Sequence, residues 1–119
     1  MSSAANWVIA VVALLHVYFL VLEMFFWDKP LGLKTFRQTQ EAATASKVLA
    51  ANQGLYNGIL AAGLLWSLTL GAPGFGVKVF FLICVVVAGI YGAATVGKKI
   101  LYVQALPAAL GLLLLLLAK

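Results

Sequence analysis

The chain has 119 residues, 65% of them hydrophobic and only 9% charged, with a mean hydropathy of +1.10. So few polar side chains exclude a soluble domain, a disordered chain and a multidomain enzyme, and a single cysteine, Cys84, excludes a disulfide-stapled scaffold. Eight Lys and Arg against three Asp and Glu give a net charge of +5, but these cations flank apolar runs, so membrane lipid and not nucleic acid is the expected partner.

Four apolar stretches, 6–27, 48–70, 77–96 and 100–118, are each long enough to cross a bilayer as a helix. The expected fold is therefore all-α, one integral membrane domain (1–119) built as an antiparallel bundle of four transmembrane helices. Trp7 and Trp27 mark the two ends of the first span, where an indole suits the lipid–water interface and keeps its N–H wet. Met1 to Asn6 carries no basic residue and the apolar run continues past any cleavage site, so the first span is expected to stay in the mature protein.

The loop after that span opens with Lys29-Pro30-Leu31-Gly32, a turn, and becomes rich in Thr, Gln and Ala from Thr39. A helix starting near Thr39 runs without a break into the second span, with Glu41 placed favourably at its positive end. Gly71-Ala72-Pro73-Gly74-Phe75-Gly76 and Gly97-Lys98-Lys99 read as the two remaining turns. Lys29, Lys34, Arg37, Lys47, Lys98 and Lys99 fall in the first and third connections, against Lys78 and Lys119 on the other side. By the bias of basic residues to the cytoplasm, loops one and three face inward and both termini lie outside.

Small residues form stripes. Ala50, Gly54, Gly58 and Ala62 recur every four residues in the second span, and Ala88 with Gly92 and Gly89 with Ala93 repeat the device in the third, so these two helices are expected to pack closely. Pro107 removes a backbone donor inside the fourth span and predicts a kink there.

Polar groups are costly in lipid, which makes their depth informative. Glu23, Asn52, Gln53, Tyr56, Asn57, Tyr91, Thr95 and Gln104 all fall in the half of the spans next to loops one and three, whereas the other half ends in the apolar run Leu112 to Leu117. His16 lies seven residues before Glu23, on the same helix face and about 10 Å deeper. Turned inward, these faces make a polar pocket with His16 and Glu23 as acid–base groups and Asn52, Gln53, Tyr56, Asn57, Tyr91 and Gln104 as ligand-binding groups. Each also has a plainer reading. Glu23 can snorkel to the interface and pair with Lys29 or Lys34, His16 can bond a neighbouring helix, and the amides can serve as interhelical glue. One histidine with a distant glutamate does not make a metal site, and nothing calls for a cofactor.

The stretches His16-Val-Tyr-Phe-Leu-Val-Leu-Glu23-Met-Phe-Phe-Trp27, Leu49-Ala-Ala-Asn52-Gln-Gly-Leu-Tyr-Asn57-Gly58, Ala88-Gly-Ile-Tyr-Gly92 and Gln104-Ala-Leu-Pro107-Ala resemble a family of small bacterial integral membrane proteins known as domain of unknown function 1304. The resemblance runs in order over nearly the whole chain. It implies a four-helix membrane protein and no particular chemistry; the expected location is the inner (plasma) membrane, as a multi-pass protein. Three functions stay open: a pocket that binds a small, partly apolar molecule and transfers a proton on it, as in an isomerisation; a proton-coupled small-molecule transporter acting as a homo-oligomer; and a structural membrane subunit whose polar slab fixes helix register.

Overall fold

The computed structural model describes residues 3–118. Their regular structure is helical throughout: α1 (Ser3–Phe25), α2 (Pro30–Phe36), α3 (Gln40–Thr69), a 3-10 turn (Ala72–Gly74), α4 (Phe75–Thr95), α5 (Lys98–Ile100), a π turn (Leu101–Ala105) and α6 (Leu106–Leu117). Four stretches, Ser3–Phe25, Gln40–Thr69, Ala72–Thr95 and Lys98–Leu117, are long and apolar enough to cross a membrane, the mark of an integral membrane protein.

Local chemistry sets the boundaries. Thr39 Oγ1 accepts a hydrogen bond from the Ala42 N–H at 3.1 Å, a cap that starts α3 at Gln40. Pro30 fills the first position of α2, where its missing N–H costs nothing, and α2 stops at Arg37, which adopts a left-handed conformation (φ 50°). With 30 residues, α3 is about 45 Å long by helix rise, so about 15 Å of it extends beyond a hydrocarbon core of about 30 Å. Before Pro107 the last span takes a π turn, in which the Leu106 N–H bonds the Leu101 carbonyl five residues back. The wider turn makes room for the pyrrolidine ring, which would otherwise press on the carbonyl of Val103.

Backbone contacts group the chain into two compact units, one formed by the segments up to Ala13 and from Ala62 onward, the other by Leu14–Ala61. In the Leu14–Ala61 unit the small-residue stripe of α3 receives α1. A Cβ on Gly54 would lie 2.6 Å from Met24 Cγ and 3.1 Å from Glu23 Cβ, and one on Gly58 would lie 2.5 Å from Leu20 Cδ1. In the other unit the glycines of α4 receive the last span: a Cβ on Gly89 would meet the Ala105 nitrogen at 2.6 Å, and one on Gly92 would meet Ile100 Cγ2 at 3.0 Å. The glycines of each stripe are thus met first by a helix of their own unit. Between α3 and α4 the tight approach is that of Gly63 to the Phe81 ring, because each stripe accepts whichever helix brings bulk to it.

Candidate functional site

Glu23 sits in the last turn of α1 and Asn57 in the middle of α3. Asn57 is buried, with 5% of its surface exposed, and its Nδ2 donates a 2.5 Å hydrogen bond to Glu23 Oε1. Gly54 makes this contact geometrically accessible. It lies three residues before Asn57 on the same helix face, and its missing side chain leaves space for the Glu23 Cβ. The carboxyl group is thus met by a neighbouring helix and not by Lys29 or Lys34, the pairing that a snorkelling side chain would have made.

Around this pair the connection between α1 and α3 is knitted together. Trp27 Nε1 donates to Ser46 Oγ at 3.1 Å, and the Ser46 hydroxyl donates onward to the Ala42 carbonyl at 2.8 Å. The indole N–H expected to be wet is held by a protein hydroxyl, because α3 begins far enough from the membrane core to bring Ser46 alongside it. The Trp27 and Phe36 rings pack with centroids 4.7 Å apart. Lys47 Nζ reaches Asp28 Oδ2 at 3.1 Å, and Gln40 Nε2 donates to the Asp28 carbonyl at 3.2 Å. The hydrogen bond from Lys47 holds the Asp28 carboxyl below the usual aspartate range. Gly32 closes the structure, since a Cβ there would fall 2.0 Å from the Phe26 carbonyl oxygen.

His16 is fully buried and lies edge-on to Phe19, with ring centroids 5.3 Å apart. On α3 the two polar stripes separate. Asn57 turns inward, while Asn52, Gln53 and Tyr56 are exposed, and Asn52 Nδ2 donates to the Val48 carbonyl of its own helix at 2.9 Å. Tyr91 is exposed on α4, and Gln104 is half-buried within the π turn. Of the residues singled out in the sequence, the structure joins Glu23 and Asn57 directly and places His16 deeper on the same helix as Glu23.

One pair escapes a reading based on depth alone. Lys78, assigned to the side opposite loops one and three, lies in the first turn of α4 with 1% of its surface exposed, and its Nζ donates to Asn6 Oδ1 at 3.0 Å. The available signal was the combination of an amide and an ammonium at apolar helix ends on the same side of the predicted topology.

Comparison with known proteins places the chain in a family. Residues 10–116 match the family described as "Protein of unknown function (DUF1304)". The chain is similar to the "Uncharacterized protein YpaA" of Lactococcus lactis subsp. lactis (strain IL1403), with 30% identity over 95 residues that make up 78% of this chain and 80% of that one. No solved structure matches it significantly.

Proposed function

The chain belongs to the DUF1304 family, and from that membership and the geometry around Glu23 we propose that it is a membrane protein whose Glu23 carboxyl group exchanges protons with a small, partly apolar molecule. The observation that carries the reading is the hydrogen bond from Asn57 to Glu23 Oε1. An amide donor fixes the plane of the carboxyl group and engages one of its oxygens, which directs proton transfer to the other. His16, fully buried about 10 Å deeper on the same helix, is the second proton-transfer group of this reading. By the distribution of Lys and Arg, the loops on the Glu23 side face the cytoplasm and the protein is a multi-pass component of a bacterial plasma membrane.

The same hydrogen bond also favours a second reading, in which it is a joint that fixes α1 on α3 and has no chemistry. Glu23→Gln separates the two, because glutamine keeps an oxygen that accepts from Asn57 but loses the exchangeable proton. The measurement is native mass spectrometry of wild type and Glu23→Gln released from nanodiscs. A small molecule retained by the wild type and lost from the variant supports the proton-transfer site. Empty proteins of equal stability support the joint. An empty homo-oligomer leads to proton-driven uptake in liposomes, and uptake abolished by Glu23→Gln would replace the proposal with transport.

A further inference from the structure

We infer that the end of the protein where α1 begins binds an anionic phospholipid, with the phosphate at Asn6 and an acyl chain along α1 and the last span. The site lies wholly within the unit formed by the segments up to Ala13 and from Ala62 onward, and does not depend on the role of Glu23.

Lys78 sets the charge of this region. Burying an ammonium group within apolar helices is costly, and such residues mark ligand or ion sites in membrane proteins. Here the ammonium occupies the first turn of α4, where the helix dipole adds further positive charge. The segments of this unit contain no Asp or Glu, and Lys98 and Lys99 belong to the opposite side of the topology, so Lys78 is the cation that biases the end where α1 begins towards anions.

Asn6 carries that preference to the surface. Its Oδ1 is taken by Lys78 Nζ, so the other end of the amide, Nδ2 with two N–H donors, is the part left for a ligand. Asn6 lines a groove of about 390 Å³ together with Ser3, Trp7, Ala10 and Leu68. The volume is in the range of small-molecule sites. A phosphate oxygen in this groove accepts from the Asn6 amide, polarised by the ammonium behind it, and from the Ser3 hydroxyl.

The tail has its own place. Trp7 also lines a second groove of about 390 Å³, almost wholly apolar, that runs past Val11, Leu110, Pro107 and Leu106 to Tyr102. From Leu110 to Tyr102 is about 12 Å by helix rise, close to the depth of one leaflet of hydrocarbon. A groove that carries the Asn6 amide and the Ser3 hydroxyl, joined through one exposed indole to a groove almost wholly apolar, matches an amphiphile with an anionic head better than a free ion or a neutral lipid.

The test uses the full-length protein in nanodiscs of equimolar phosphatidylglycerol and phosphatidylcholine, with retained lipids identified by native mass spectrometry. Phosphatidylglycerol should be retained over phosphatidylcholine by about tenfold. Asn6→Leu should abolish that preference. Ser3→Ala combined with Trp7→Ala, both at exposed positions, repeats the test without touching Asn6 or Lys78 and should abolish retention. Lys98→Gln should change nothing. Equal retention of the two lipids by the wild type overturns the inference, as does a preference that survives both Asn6→Leu and the double variant. Displacement of the retained lipid by oleate or by inorganic phosphate alone would also overturn it, by showing that a carboxylate or a free anion is the real occupant.

Discussion

Replacing Gly89 by alanine should break the seat of the last span. The added Cβ would lie 2.6 Å from the Ala105 nitrogen, 2.7 Å from its Cβ and 2.9 Å from its Cα, whereas ordinary carbon contacts settle near 3.5–4.0 Å. Two of these three atoms are main chain and belong to the π turn, so no side chain can rotate away, and α4 must withdraw by about 1 Å. A gap of that size forfeits a quarter to a half of each contact it opens, and forced overpacking costs about 1–3 kcal/mol. Gly76→Ala is the control: it lies in the first turn of the same helix, with no atom within 4 Å of the added Cβ, and it collects the gain in helix propensity of up to about 1 kcal/mol without a clash. The same propensity gain applies to Gly89→Ala and cancels, so the two variants should differ by the clash itself, about 1–3 kcal/mol, roughly 5- to 150-fold in the folded-to-unfolded ratio. Equilibrium unfolding in mixed micelles, followed by the fluorescence of the three tryptophans, measures the difference. A Gly89→Ala protein as stable as Gly76→Ala would refute the account of how the π turn meets α4.

Asn57→Leu should destabilise the protein by about 1–2 kcal/mol, because it leaves the Glu23 carboxyl without its partner on α3, and a double-mutant cycle with Glu23→Leu, which removes the acceptor, should show a coupling of about 1 kcal/mol. A cycle that closes near zero would mean that the two residues act independently. Asp28 has its carboxyl pKa lowered in the folded state by the hydrogen bond from Lys47. Its stabilising contribution is thus present above the ordinary aspartate range and is lost as pH falls through the lower, folded value. Asp28→Asn should lower stability at neutral pH and flatten this acid limb of the stability–pH curve, as followed by equilibrium unfolding across pH. Gly32→Ala places a Cβ 2.0 Å from the Phe26 carbonyl oxygen and 2.7 Å from that of Trp27. It should displace α2 and shift the Trp27 indole resonance in NMR spectra as the bond to Ser46 is lost; an unmoved indole would argue against the packing described.

How much of this was legible follows from what each pattern encodes. The four spans stand out because length and hydropathy fix a crossing helix with little help from context. The continuous α3 was visible in the helix-forming composition after Thr39. The facing of its polar residues was not. Asn52 with Tyr56 and Gln53 with Asn57 occupy adjacent stripes, and the sequence has no means to say which turns inward; Gly54 decides it, by admitting α1 beside Asn57. A stripe of small residues announces close approach and leaves the partner unnamed, which is why Gly54 and Gly58 turn out to meet α1 while Gly89 and Gly92 meet the last span. Pro107 foretold a disturbance but not its form, a π turn upstream of the ring. The partner of Lys78 was not legible either, because its bond to Asn6 joins residues 72 apart in the chain.

The projecting start of α3 has a mechanical consequence. Its first two turns are fastened to the end of α1 by Trp27 with Ser46, Asp28 with Lys47, and Gln40 with the Asp28 carbonyl. These bonds lock the axial register of the two helices, so that neither slides along the other when the surrounding lipid changes thickness. Within the Leu14–Ala61 unit a thinner or thicker bilayer must then be met by tilting the two helix segments together, and the distance from Glu23 to the Trp27 collar stays constant while its angle to the membrane plane changes.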